Sequence, residues 1–154
     1  MIDIAPSEPL LAQRAAQALA SVPDVVKTYD VLIVGAGLSG SLAAAVLGRA
    51  GYDVGLIDRY PVCPAQFRVE KVTGQSLDAL RRLDLLDGVA AASTLFNRVV
   101  NVRRGRVIDE THSDHYGILY DDLVGAIRAQ LPSNVDFHVD RVVDIETGPQ
   151  RQRL

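Results

Sequence analysis

The sequence predicts an α/β domain of Rossmann type, in which helices cover both faces of a central parallel β-sheet and a β-hairpin leaves the main layer. Three observations favour this fold. An unbroken apolar run ends at Val34, a glycine-rich turn follows it, and an amphipathic segment then leads to a second apolar run that ends at Asp58. Apolar runs without alternation are typical of parallel strands that are covered on both faces. With 48% hydrophobic residues among 154, the chain can build one such core.

The order of the elements follows from the same patterns. Residues 30–34 predict the first strand, 38–50 a helix and 53–58 the second strand. Leucines at three-residue spacing predict a second helix over 73–86, and a third, over 121–131, begins with two acids and stops at Pro132. The domain as a whole is expected to span residues 29–154.

The remaining segments predict smaller elements. Residues 98–102 and 106–110 flank a glycine-containing turn and are expected to form a hairpin, whereas 135–139 and 142–145 are predicted strands. Residues 1–28 contain three prolines and are interpreted as an extension, with Ser7 as the cap of a short helix.

The glycine-rich turn carries the pattern G-x-G-x-x-G at Gly35, Gly37 and Gly40. Gly35 permits a sharp turn, Gly37 lets the backbone approach a pyrophosphate, and Gly40 allows the helix to pack close to the strand. Leu38 and Ser39 open that helix, and its free N–H groups are expected to face the phosphates. The pattern is weak alone, but here it stands between a strand and a helix, which predicts a dinucleotide site.

Asp58 follows Gly40 by eighteen residues, at the end of the second predicted strand. A carboxylate at this position can accept hydrogen bonds from both hydroxyls of an adenosine ribose, and it would repel a 2′-phosphate. The sequence therefore disfavours NADP as the ligand of the turn. The competing interpretation is that the glycines serve packing alone and Asp58 is a solvated strand end.

Composition excludes several classes of function. The net charge of −3 argues against a nucleic-acid partner or an anionic membrane surface, since both favour basic proteins. Neither a signal peptide nor a membrane-spanning run is present, and Cys63 is the only cysteine, which rules out a disulfide framework, a dithiol redox pair and a cysteine-rich zinc site within this chain. We expect a protein of the cytoplasm.

A cluster at His112, Asp114 and His115 raises the question of a metal site. No regular helix is predicted there that would place these side chains on one face, so a polar loop is the preferred interpretation and no metal is expected. No residue of the chain can be assigned as a general acid, a general base or a nucleophile, and the catalytic residues remain unassigned.

Three stretches resemble flavin-dependent monooxygenases of the p-hydroxybenzoate hydroxylase type. They read YDVLIVGAGLSGSLAAAVLGRAGYDVGLIDRYP, FRVEKVTGQSLDALRRLDLLD and YGILYDDLVGAIRAQLP. The resemblance implies an FAD cofactor, NAD(P)H as the reductant of the flavin, and molecular oxygen and a small organic molecule as substrates. The flavin supplies the difficult chemistry in such enzymes, and the protein positions it.

The resemblance also implies roles for single residues. Arg68 matches an arginine that lies near the phosphates or the flavin in that family. Glu70 and Lys71 adjoin it and could form a local ion pair or steady the loop. Arg59, directly after Asp58, and the FRVEK segment favour FAD over NAD. The family usually has Arg or Gln near position 120, where this chain offers the hydroxyl of Tyr120 instead.

The chain lacks two later motifs of that family, an Asp-Gly and a Gly-Asp pair that bind the rest of the pyrophosphate and the ribityl chain. We therefore expect a truncated FAD-binding portion that is inactive alone and is completed by a partner chain or by a missing C-terminal segment. Two alternatives stay open: an NAD-dependent dehydrogenase domain that uses the same turn, and a dinucleotide-binding module without catalytic activity.

Overall fold

The computed structural model of the protein describes residues 27–153. The predicted extension and its short helix lie outside the described residues, except for Lys27 and Thr28. The elements in chain order are β1 (Val31–Val34), α1 (Leu38–Arg49), β2 (Val54–Asp58), β3 (Val69–Val72), α2 (Gly74–Arg82), α3 (Leu86–Ala91), β4 (Thr94–Arg103), β5 (Arg106–Leu119), α4 (Tyr120–Arg128), β6 (Val135–Val139), β7 (Glu146–Thr147) and β8 (Gln152–Arg153).

A parallel sheet with the strand order β1-β2-β6 forms the base of the domain. Helix α1 packs on one of its faces, where Ala36, Ala44, Val54 and Leu56 are fully buried in one cluster. This is the strand, turn, helix and strand arrangement that the sequence predicts, and strand β6 has the predicted bounds. The carboxyl ends of all three strands therefore meet at one edge of the sheet.

The other face of the parallel sheet is more open than the sequence predicts. Leu32 and Val34 in β1 are 38% and 55% exposed, although their uninterrupted apolar run indicated a strand covered on both faces. Among the described residues, the segment leading into β1 crosses this face: the Tyr29 hydroxyl and the His138 ring share a hydrogen bond, and the Tyr29 ring lies over Gly55.

A second, antiparallel sheet has the order β3-β5-β4. Its long hairpin extends well beyond the predicted 98–102 and 106–110, and turns at Arg104 and Gly105, which both have positive φ. Strand β3 was not predicted, because a four-residue segment with two charges carries little strand signal. Its pairing with β5, in which Val69 lies opposite Leu119, supplies the stability that the local sequence lacks.

The second helix, predicted over 73–86, ends early at Arg82, and a further helix that was not predicted begins at Leu86. Helices α2 and α3 are separated at Asp84, whose φ of 54° interrupts the helical path, and Arg49 donates hydrogen bonds to the carbonyl groups of Leu83 and Asp84. Both helices and α4 contribute to one core cluster, with Leu77 from α2, Val89 from α3 and Ile127 from α4. Helix α4 begins at Tyr120 and ends at Arg128, three residues earlier than predicted.

The strand predicted at 142–145 was wrong. Three of these four residues are β-branched, which indicates a strand. They have no pairing partner within 27–153, however, and Val143 is 90% exposed. A short hairpin of β7 and β8 follows instead. No helix in the described part of the chain is long and apolar enough to cross a bilayer.

Candidate dinucleotide-binding site

The glycine turn has the geometry that its sequence requires at two positions. Gly35 has a φ of +98°, a conformation that side chains other than glycine rarely adopt, and its N–H donates to the Ile57 carbonyl at 2.7 Å. A Cβ atom on Gly40 would stand 1.9 Å from the Gly35 carbonyl oxygen. Helix α1 can therefore begin directly against the turn only because residue 40 is glycine.

The first turn of α1 presents free backbone donors. Gly37 is the N-cap residue and has no side chain to accept hydrogen bonds from the amides of Ser39 and Gly40. The Leu38 N–H has one long contact, at 3.4 Å, to the Tyr120 hydroxyl, and a Cβ atom on Gly37 would meet that same hydroxyl and nothing nearer. The open space and unsatisfied N–H groups fit the oxygens of a pyrophosphate.

Asp58 stands beside the turn at the end of β2. One carboxylate oxygen accepts the Ala36 N–H at 2.7 Å, and the other accepts the Tyr60 N–H at 2.9 Å. Each oxygen keeps a second lone pair, and the side chain is 17% exposed. The carboxylate is thus held in a fixed orientation and retains the capacity to accept hydrogen bonds from ribose hydroxyls.

A cleft of about 240 Å³ opens at the carboxyl ends of the three parallel strands. Its lining consists of Val34, Gly35, Ile57, Asp58, Arg59, Asp140, Arg141 and Val142. Ligands of open α/β sheets bind at this edge. The sequence did not indicate residues 140–142, because only the pairing of β6 with β2 brings them to Asp58, whose carbonyl accepts the Asp140 N–H at 2.9 Å.

The two arginines predicted for the site lie in different surroundings. Arg59 lines the cleft, and its guanidinium stacks on the Tyr60 ring at 4.8 Å. Arg68 stacks on the Tyr120 ring at 4.6 Å, forms an ion pair with Glu70 at 2.6 Å, and is 60% exposed. Because the Tyr120 hydroxyl reaches the start of α1, Arg68 belongs to the same neighbourhood as the glycine turn but lies outside the cleft lining.

Arg128 contacts the site from helix α4 and was missed by sequence reasoning. Its guanidinium donates to the carbonyl of Ala36 in the turn and to those of Tyr60 and Pro61 beyond β2. A basic residue in the last turn of a helix is common for reasons of the helix dipole alone, so the sequence carried no signal for this role.

The other residues weighed from the sequence do not form a second site. Burial raises the pKa of the Cys63 thiol, and the nearby charge of Arg128 opposes this only in part, so the thiol is protonated at neutral pH. His115 is buried against Phe96 and bonded to Ser113, whereas His112 contacts Glu110 on the exposed part of the hairpin. Within 27–153, no three His, Cys, Asp or Glu side chains are grouped to hold a metal ion.

Comparison with known proteins identifies one family for nearly all of the described residues. The family described as FAD binding domain matches residues 28–150. Kynurenine 3-monooxygenase of Salinispora arenicola is 30% identical over 141 residues, which cover 79% of this chain and 31% of that protein. A flavin-dependent monooxygenase of Legionella longbeachae is 25% identical, with 77% of this chain and 30% of that protein covered.

Solved structures show the same fold at lower identity. The p-nitrophenol 4-monooxygenase PnpA of Pseudomonas putida has a TM-score of 0.67 at 21% identity, covering 79% of this chain and 34% of its own. PqsL of Pseudomonas aeruginosa has a TM-score of 0.67 at 16% identity, covering 79% and 36%. These likenesses confirm the predicted α/β fold of Rossmann type, and the chain spans about a third of the proteins that it matches.

Proposed function

Because the chain belongs to the FAD-binding domain family, as the sequence predicted, we propose that it forms the dinucleotide-binding portion of a flavin-dependent monooxygenase. Its own share of that function is to bind the ADP moiety of FAD. The free amides at the start of α1 hold the pyrophosphate, and the Asp58 carboxylate holds the adenosine ribose.

One observation carries this proposal: the glycine turn, the Asp58 carboxylate and the cleft converge on a single edge of the parallel sheet. A turn that served packing alone would need glycine at 35 and 40, where the backbone is strained or crowded. It would have no such need at 37, where a Cβ atom meets only a hydroxyl at 3.4 Å. Glycine at 37 instead leaves room for a phosphate to approach the backbone.

The bound flavin would supply oxygenation of a small organic substrate with electrons from NAD(P)H. In this proposal the described residues bind and orient the cofactor, and no proton transfer is assigned to any of them. The matched relatives are about three times longer, and we propose that a further segment or a partner chain completes the flavin and substrate sites. A cytoplasmic location is part of the proposal and suits the single, protonated thiol of Cys63.

The experiment that tests this proposal is the visible absorption spectrum of the purified full chain after incubation with FAD and desalting. A retained flavin spectrum supports the proposal, with Gly37→Val as the matched variant that should lose it. A colourless protein that instead changes the fluorescence of NADH on titration would favour the dehydrogenase alternative. A colourless protein that binds neither FAD, ADP nor NADH would contradict the proposal.

A further inference from the structure

The two peptide groups that meet at Ala36, in the middle of the glycine turn, are both held by side chains. The Ala36 N–H donates to Asp58 at 2.7 Å. Its carbonyl accepts from the Arg128 Nε at 2.9 Å, from a second nitrogen of the same guanidinium, and from the Ser41 hydroxyl at 2.9 Å. The Gly35–Ala36 peptide is therefore oriented by a side chain of β2, and the Ala36–Gly37 peptide by side chains of α1 and α4.

Besides the turn, Arg128 contacts the loop after β2 and the Asp58 carboxylate. Its Nη1 reaches the carbonyl oxygens of Tyr60 and Pro61 at 3.4 and 3.3 Å, and its Nη2 lies 3.8 Å from Asp58 Oδ2. The Arg128 side chain is 11% exposed, and its guanidinium lies over the Phe137 ring at 5.1 Å. A planar group with five N–H donors can join a turn, a carboxylate and a loop at once, which a lysine ammonium cannot do in the same geometry.

We propose that Arg128 is a positioning residue of the dinucleotide site. Through the Ala36 carbonyl it sets the orientation of the Ala36–Gly37 peptide, and it also orients the Asp58 carboxylate, so that the amides of Gly37 and Leu38 face the phosphates before a ligand arrives. It acts through these groups and does not itself contact the ligand. The inference rests on the proposed function. It gives Arg128, at the end of α4, a positioning role that is separate from the ligand contacts of the turn and Asp58.

A purely structural role for Arg128 is the alternative, in which it ties α4 to the sheet and nothing more. Arg49 offers a matched control for that alternative. It also ends a helix, α1, and it donates to two backbone carbonyls, those of Leu83 and Asp84, but it makes no contact with Asp58 or the turn. Loss of either arginine removes hydrogen bonds between a helix end and neighbouring backbone, to three carbonyls for Arg128 and to two for Arg49.

The experiment compares Arg128→Met, Arg128→Lys and Arg49→Met in the full chain. Three quantities are measured: the thermal unfolding temperature, the hydrogen exchange rate of the Ala36 amide without ligand, and the affinity for ADP by calorimetry. We expect Arg128→Met to speed exchange at Ala36 and to weaken ADP binding about tenfold, as loss of a charge-assisted hydrogen-bond network would. Arg128→Lys should restore part of both, and Arg49→Met should change the unfolding temperature alone.

Unchanged hydrogen exchange at Ala36 together with wild-type ADP affinity in Arg128→Met would overturn the inference. Arg128 would then have only the structural role of joining α4 to the sheet. If Arg128→Met does not fold, the same two readouts on Arg128→Lys decide, because that variant keeps the charge and loses the planar geometry. Failure of the wild-type chain to bind ADP would count against the proposed function. Exchange at Ala36 would still decide whether Arg128 orients the turn.

Discussion

The carboxylate of Asp58 accepts the backbone N–H of Ala36 at 2.7 Å, although the two residues are 22 positions apart. This bond joins the acid at the end of β2 to the glycine turn at the end of β1. A phosphate bound at the turn and a ribose bound at Asp58 would therefore lie at a fixed separation, as the ADP moiety of a dinucleotide requires.

Replacing Asp58 tests the ribose contact. Asp58→Ala should weaken ADP binding by roughly 1.5 to 3 kcal/mol, since it removes charge-assisted hydrogen bonds to the ribose and the partner of the Ala36 amide. Calorimetric titration measures the change, with Asp78→Ala as a control, because Asp78 pairs only with Arg81 on the exposed side of α2. Equal affinities in the two variants would remove Asp58 from the site.

Substitutions at Gly37 and Gly40 should affect different quantities, ADP affinity for the first and the free energy of unfolding for the second. Gly37→Ala places a methyl group in the approach to the amides, so ADP affinity should fall while the free energy of unfolding changes by less than about 1 kcal/mol, the range for an exchange at an N-cap. Gly40→Ala should lower stability by about 1–3 kcal/mol or more, because its Cβ atom would clash with the Gly35 carbonyl. Denaturant unfolding and ADP titration of both variants measure these effects, and a reversed pattern would contradict the geometry.

Arg68 should matter for the cofactor and little for the fold. It is well exposed, so Arg68→Met should change the free energy of unfolding by less than about 1 kcal/mol. Its place beside Tyr120 predicts a weaker affinity for FAD, measured by quenching of flavin fluorescence. Arg81→Met removes a comparable exposed ion pair, with Asp78, and should leave FAD affinity unchanged. The same loss in both variants would indicate a general charge effect.

Cys63 provides a pH-dependent readout close to the site. Burial raises the pKa of its thiol, so the rate of its reaction with a disulfide reagent should rise at a higher pH than that of a free thiol. Arg128 lowers this pKa, and Arg128→Met should move the profile further upward. The folded thiol holds its proton more tightly than the unfolded one. The free energy of unfolding should therefore fall as the pH rises from the ordinary thiol pKa through the raised pKa of the folded state. A profile equal to that of the chain in denaturant would contradict the assigned burial.

The parts of the fold that local sequence encodes were predictable. Strand β1, the turn, α1, β2 and β6 carry strong patterns, and the function of Gly35 and Gly40 follows from backbone geometry that only glycine tolerates. Strand β3 could not be predicted, because its stability comes from pairing with a segment about fifty residues later in the chain. The segment 142–145 shows the converse, since strand-forming residues without a pairing partner stay irregular.

The residues of the candidate site likewise divide into those that local sequence indicates and those that only long-range packing brings together. Gly37 and Asp58 were predicted from their spacing, and they remain candidates for the site, whereas Arg128 and residues 140–142 reach the candidate site only through the packing of α4 and the order β1-β2-β6. No spacing in the sequence relates Arg128 to Ala36, 92 positions earlier. The contacts between distant elements thus determine which side chains hold the turn in place.

The measurement that tests the central claim most directly is the amide NMR spectrum of the isotope-labelled chain during titration with ADP. The account predicts saturable shifts that are largest at residues 35–40 and at Asp58 and Arg59, the groups around the turn and the cleft. Shifts confined to other regions, or no shifts at ADP concentrations that saturate ordinary dinucleotide sites, would contradict it.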